Sequence, residues 1–262
     1  MEIRFALLGT LEASVDGAVL SLDAAAMLRA VLAALLLAGG QRVSNRRLVQ
    51  SLWATPPRSA LSNLRSYLAR VRAILGNADP RLAARLVTVS DGGGYLFTLG
   101  PKELDVNVFS DLARRGQAHL RAGDHASAAA LLHDALALWR GPAGDNITAT
   151  GTITQQLADL DEQRIIATED FVDARLALGA TSSLLHDIRA LVLDQPLRDR
   201  PWEQLMRALY LTGDPAGALG AYQKARRSFG EALGIEPSGR LQQLQVAILQ
   251  RDDLVIARHA LR

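Results

Sequence analysis

The chain has no cysteine, which excludes a disulfide framework and a thiolate metal site and suits a reducing compartment. Aromatic side chains make up only 5% of it, while alanine and leucine abound, a balance that favours helix. Long apolar runs are missing too. The longest, residues 30–38, falls short of the ~20 residues that cross a bilayer, and reads as a buried helix. The N-terminus opens on Glu2 and an alternating segment instead of a charged and then apolar leader. A cytoplasmic protein without a membrane partner is therefore expected. The five histidines include no HExxH spacing, and neither GxxxxGK[ST] nor a GxGxxG between strand and helix occurs. His119, His125 and His133 read as exposed or packed side chains, and no nucleophile–base pair emerges. No catalytic residue, metal or cofactor is expected, and the chain reads as a non-enzyme.

What is present is an ordinary globular composition, 49% hydrophobic and 21% charged, in 262 residues, a length that suits two domains. The net charge of +2 conceals an asymmetry. Residues 1–100 carry 11 Lys and Arg against 6 Asp and Glu, a balance of +5. Subtraction from the totals of 29 and 27 leaves 18 against 21, or −3, for residues 101–262. Residues 41–85 alone hold nine arginines, no lysine and one acid, Asp79. A basic run is often a solvated face, but confinement to one helical stretch points to a polyanionic partner.

Residues 2–8, 11–15 and 19–22 read as short strands, with Asp16-Gly17 between the last two as a hairpin signal. An apolar helix over 24–38 follows, stopped by Gly39-Gly40 and expected in the middle of its domain. Ser44 offers an N-cap to a helix over 45–53 that buries Leu48, Val49 and Leu52; Thr55-Pro56-Pro57 ends it. Ser59 is expected to cap a third helix, 59–75, closed by Gly76. On it Leu61, Leu64, Leu68, Val71 and Leu75 form one apolar stripe. The opposite side presents Ser62, Asn63, Arg65, Ser66, Ala69, Arg70 and Arg72. Short polar residues with arginines suit a major groove, where arginine donates two bonds to guanine or clamps phosphate. Arg46 and Arg47 sit at the N-terminus of the preceding helix, where free N–H groups already attract anions. Strands over 86–89 and 95–99 then form a hairpin with a glycine tip.

From residue 105 the pattern is helical almost to the end, in segments at 107–121, 125–139, 153–178, 182–194, 199–211, 215–233 and 237–250. Gly179 and Gly213 each precede a helix and lie 34 residues apart, the period of tetratricopeptide helix pairs; residues 122–138 share that small-residue character. The expected fold is mainly α. A winged helix with a small β-sheet and a β-hairpin wing fills residues 1–100, and an all-α tetratricopeptide-like domain fills 101–262.

Several short stretches occur in a telling order: FALLGTLE at 5–12, RAVLAALLL at 29–37, LVQSLW at 48–53 and YLARVR at 67–72. LWRGP at 138–142, PLR at 196–198, LMRALY at 205–210 and LGIEP at 233–237 continue the series. With the element order, they make the chain resemble the Streptomyces antibiotic regulatory protein family. In that family an OmpR-type winged helix precedes a bacterial transcriptional activation domain. The resemblance implies that helix 59–75 is the recognition helix, that Arg70 reads bases and that Arg72 contacts phosphate. Ser62 and Asn63 would touch the DNA backbone, and Trp53 would pack on the backbone or the core. Three departures stand out. Met27-Leu28 replaces a Lys-Gln pair, losing any phosphate contact there. Asp91 stands where the wing often carries a basic residue, which makes the wing the weakest part of the expected interface. Residues 144–154 are more polar than the family pattern.

The expected function is activation of a secondary-metabolite (antibiotic) gene cluster. Helix 59–75 would bind promoter direct repeats in double-stranded DNA, and the resemblance implies recruitment of RNA polymerase, with a homodimer on DNA as an added option. Two other readings stand beside it: a helical-repeat adaptor or ligand sensor with a degenerate winged helix, favoured by Asp91 and Met27, and a repressor acting by promoter occlusion.

Overall fold

A computed structural model describes residues 2–22, 26–89 and 93–258. Asp91 lies outside the described residues. The chain forms two compact units, one of residues 1–112 and 135–165, the other of 113–134 and 166–262.

The first unit opens with β1 (Ile3–Ala6), β2 (Glu12–Val15) and β3 (Ala18–Val19), antiparallel in that order. Ile3 faces Val15 and Phe5 faces Ala13, so Ile3, Phe5 and Ala13 are buried while Arg4 points outward. Asp16 and Gly17 take φ of 47° and 82°, which the two-residue hairpin turn requires. The first strand stops at Ala6, short of the expected Leu8. The Asp105 carboxylate accepts the N–H groups of Leu7 (2.8 Å) and Leu8 (3.0 Å), removing them from any ladder. The third strand is likewise shorter than expected: Ala18 and Val19 are in register with β2, and the pairing ends with the Leu20 N–H on the Ala13 carbonyl at 2.8 Å.

Helix α1 (Ala26–Leu37) is buried nearly all round, with Leu28, Val31, Leu32 and Leu36 fully so, as its sequence requires of a central helix. Strand β4 (Val43–Ser44) leads into α2 (Asn45–Leu52), whose Ser44 cap accepts the Arg47 N–H at 3.2 Å. Helix α3 (Ala60–Ala78) buries Leu64, Leu68, Val71 and Leu75. Leu61 belongs to the expected stripe but is 50% exposed; Ala60, one turn before Leu64, is buried instead. Ser59 forms no side-chain cap to α3, since its hydroxyl accepts the Asn63 amide at 3.1 Å. Gly76 does not end the helix. It gives α3 room to pass α4 (Pro80–Ala84), where a Cβ would meet that of Ala83 at 3.3 Å. Strands β5 (Leu86–Val89) and β6 (Gly94–Phe97) form the expected hairpin, and β4 joins it as a third strand, in the order β4-β6-β5. Phe97 meets Phe5 edge-on at 5.6 Å.

Helix α5 (Asp105–Arg121), α6 (His125–Leu136) and α7 (Ile153–Ala177) each contribute to both units. Between α6 and α7 a polar strap lies along the first unit. The N–H groups of Arg140 and Gly144 donate to Leu8 and Leu7 carbonyls at 2.8 and 2.9 Å. The Asn146 side chain brackets Leu11, accepting its N–H at 2.8 Å and donating to its carbonyl at 3.2 Å. Thr150 and Thr152 N–H groups donate to the Leu52 and Gln50 carbonyls at the end of α2. The Thr150 hydroxyl accepts the Ala54 N–H at 3.3 Å. The polarity of 144–154 thus has a physical reason, since the strap satisfies backbone groups that turns and helix ends leave open.

The second unit is built on α8 (Thr181–Asp194), α9 (Asp199–Leu211), α10 (Pro215–Leu233), α11 (Gly239–Gln250) and α12 (Asp253–Arg258). Its core includes Ile188, Trp202, Met206, Phe229 and Leu244. The repeat seen in the sequence is also a repeat of backbone geometry. Gly123, Gly179 and Gly213 have φ of 78°, 79° and 84°, and each donates to the carbonyl three residues back. The next residue donates five back in all three cases, which is one helix-ending turn used three times. Beside the apolar core, Glu169, Asp170 and Asp173 are buried on α7. Arg198 binds Glu169 at 2.8 Å, Arg200 binds Asp170 and Asp173, and Arg207 binds Asp173 at 3.1 Å.

Candidate DNA interface

The apolar stripe of α3 is fixed in the first unit's core, so its other side faces outward. Ser62, Arg65, Ser66, Ala69 and Arg70 are all exposed there, and helical spacing puts them on one surface. Arg46 and Arg47 are exposed in the first turn of α2, where the Ser44 cap leaves other N–H groups open. Among the described residues Arg46, Arg47, Arg65 and Arg70 form no ion pair with an acid. The lone acid of this stretch is occupied: Asp79 caps α4 through the Arg81 N–H at 2.7 Å and pairs with the Arg81 guanidinium. That bonding holds its carboxyl below the usual range. The surface therefore keeps its positive charge.

Two of the expected contact residues have local duties. The Ser62 hydroxyl donates to the Ser59 carbonyl at 2.9 Å and the Asn63 amide to the Ser59 hydroxyl, so both are tied to the helix start. Arg72 is half-buried, and its guanidinium donates to the Leu86 carbonyl at 2.8 Å and the Thr88 hydroxyl at 3.2 Å. It joins α3 to the first strand of the wing, about two helical turns along from Arg65.

Two arginines of the basic run enter the picture only in three dimensions. Arg58 is exposed in the connection between α2 and α3. Arg42 shares a polar cleft of about 340 Å³ with Arg47, Ser51 and Gln156. The count of nine arginines was the signal for both, but nothing in their spacing placed them. Of the family-like departures, Leu28 is buried, and Arg29 turns inward to donate to the Asn146 carbonyl at 2.8 Å. Trp53 stacks at a tilt beside Tyr67, with ring centroids 6.5 Å apart. Among the described residues no helix is long and apolar enough to cross a membrane.

The bacterial transcriptional activator domain model matches residues 104–249. Regulatory protein DnrI of Streptomyces peucetius is 36% identical over 228 residues, which cover 86% of this chain and 84% of that protein. Regulatory protein AfsR of Streptomyces coelicolor is 37% identical over 252 residues. That stretch covers 95% of this chain but only 24% of the longer relative. A solved structure, Mycobacterium tuberculosis EmbR in complex with a low affinity phosphopeptide, is similar in fold over 99% of this chain and 68% of its own. The TM-score is 0.90, at 30% sequence identity. With the activator domain matched over more than half its length and a regulator of similar size aligned along most of it, the chain belongs to the Streptomyces antibiotic regulatory protein family of transcriptional activators.

Proposed function

We propose that this protein activates a secondary-metabolite (antibiotic) gene cluster from the cytoplasm by binding promoter direct repeats through α3 and recruiting RNA polymerase. Residues 1–100 serve as the DNA-binding domain and 101–262 as the activation domain. The observation that carries this reading is the exposed face of α3, where Arg65 and Arg70 have no acidic partner among the described residues while the reverse face is locked in the core. Arg70 reads a base edge, and Arg65 and Ser66 contact the groove beside it. Ser62, Asn63, Arg72, Arg46 and Arg47 contact phosphates. Two protomers sit on repeats spaced by about one helical turn, roughly 10–10.5 base pairs.

The test is fluorescence anisotropy on a duplex carrying the direct repeats of its own cluster's promoter. Arg70→Ala is expected to cost about 1–3 kcal/mol and to relax preference at one base position. Unchanged affinity and preference would remove Arg70 from the interface. Affinity should fall with salt at a slope of about −0.9 per phosphate neutralised. No DNA binding together with a stable protein complex would favour the adaptor reading, and a reporter gene silenced by the protein would favour repression.

A further inference from the structure

The helical unit carries an open groove of about 410 Å³ between α8 and α10, floored by α9. Trp202, Leu205 and Leu209 form the floor, at helical spacing, and all three are packed into the core from behind. On the α10 wall Gly220 meets nothing within 4 Å of a Cβ position, so a partner's backbone can approach closely. On the α8 wall Leu193 is 80% exposed. An apolar floor between two helices is the kind of groove that receives the apolar face of an amphipathic helix.

The charges around it are two cations and one acid, a net of +1. Arg189 on α8 and Lys224 on α10 are both exposed, line the groove, and form no ion pair among the described residues. The one lining acid, Asp214, keeps its charge but is held at the start of α10 as its cap, accepting the Gly217 N–H at 2.7 Å, away from Arg189 and Lys224 in sequence. This cationic rim stands out because residues 101–262 carry a net charge of −3. A basic segment would meet repulsion at both walls, and a nucleic acid would have no use for the apolar floor.

We infer that this groove docks an acidic amphipathic helix of a protein partner, its apolar residues on the α9 floor and its carboxylates beside Arg189 and Lys224. The inference deepens the activator reading by giving the helical unit a partner of stated chemistry. The probe is a fluorescein-labelled 16-residue peptide with leucine at i, i+3, i+4 and i+7 and Asp or Glu elsewhere. Its counterpart carries Lys or Arg at those other positions. The full-length chain should bind the acidic peptide and not the basic one. Reversing both rim charges, Arg189→Glu with Lys224→Glu, should weaken binding about tenfold or more, the sum of two lost attractions turned to repulsions. Gly220→Leu should abolish it by filling the groove, and it removes a helix-interior glycine at an open position, so folding is preserved.

Both variants should bind promoter DNA as the parent does. Loss of DNA binding in the parent with peptide binding intact would strike the promoter reading alone. Equal affinity for both peptides, no binding of the acidic one, or undiminished binding by both variants would overturn the groove assignment. So would self-association of the chain that Gly220→Leu abolishes, since a second copy would then be the occupant.

Discussion

A methyl group at position 151 tests the strap directly. A Cβ there would clash with the carbonyl oxygens of Gln50 and Ser51. Both are backbone atoms of α2 and cannot rotate aside, so Gly151→Ala must lift the strap from the helix end. Three hydrogen bonds cross at that place: Thr150 N–H to Leu52, Thr152 N–H to Gln50, and Ala54 N–H to the Thr150 hydroxyl. At about 1 kcal/mol net for each bond, the expected loss is about 3 kcal/mol. Urea unfolding followed by circular dichroism reads this as a lower midpoint at unchanged slope. Thr150→Val removes one acceptor and should cost about 1 kcal/mol. Gly220→Ala is the control, because nothing lies within 4 Å of its Cβ position, and it should be neutral or stabilising by up to about 1 kcal/mol. If Gly151→Ala unfolds at the parent's midpoint, the strap is not held by the rim of α2 and the reasoning fails.

The other expectations concern charge. Arg72→Ala should weaken binding to all duplexes alike and lower the salt slope by about 1, unlike Arg70→Ala, which should alter base preference; a change of preference in both would merge the two roles. Burial pushes the Glu203 carboxyl up to about 7, although the Arg240 guanidinium pulls the other way. The folded chain therefore holds a proton that the unfolded chain releases above pH 4.5, so stability falls as pH rises from there through about 7 and then levels. Glu203→Gln should flatten the urea midpoint between pH 5 and 8. The slope should lessen without vanishing, since burial also raises Asp170 and Asp105. An unaltered slope would remove Glu203 from the account.

The parts of the fold that were legible are those in which side-chain pattern decides the outcome. The apolar run of α1 forced a central helix, and the spacing of Leu64, Leu68, Val71 and Leu75 gave the buried side of α3 and hence its open one. Leu61 fits the same spacing, but in the first turn it is Ala60 that faces the core. What escaped is settled by backbone bonds between distant positions. Strand β4 has two residues, too few to show alternation, and exists because Val43 and Ser44 meet Tyr95 and Gly94. The strap was visible only as unexplained polarity, because its partners are main-chain groups up to 135 residues away. At the candidate interface, Arg65 and Arg70 were readable from helical phase. The bond from Arg72 to Leu86 was not, since it depends on where the wing returns.

The strap also sets an order in time. Leu11 emerges from the ribosome long before Asn146, and Leu52 long before Thr150, yet each pair bonds in the finished unit. Contacts of such sequence separation form late and slowly. A nascent chain of 100 residues already contains α3 but lacks Asp105, Arg140 and Asn146, so the backbone groups of Leu7, Leu8 and Leu11 are left to water. Helix α3 and the unit around it thus gain their full support only after synthesis has passed residue 165, when the second unit is already under construction.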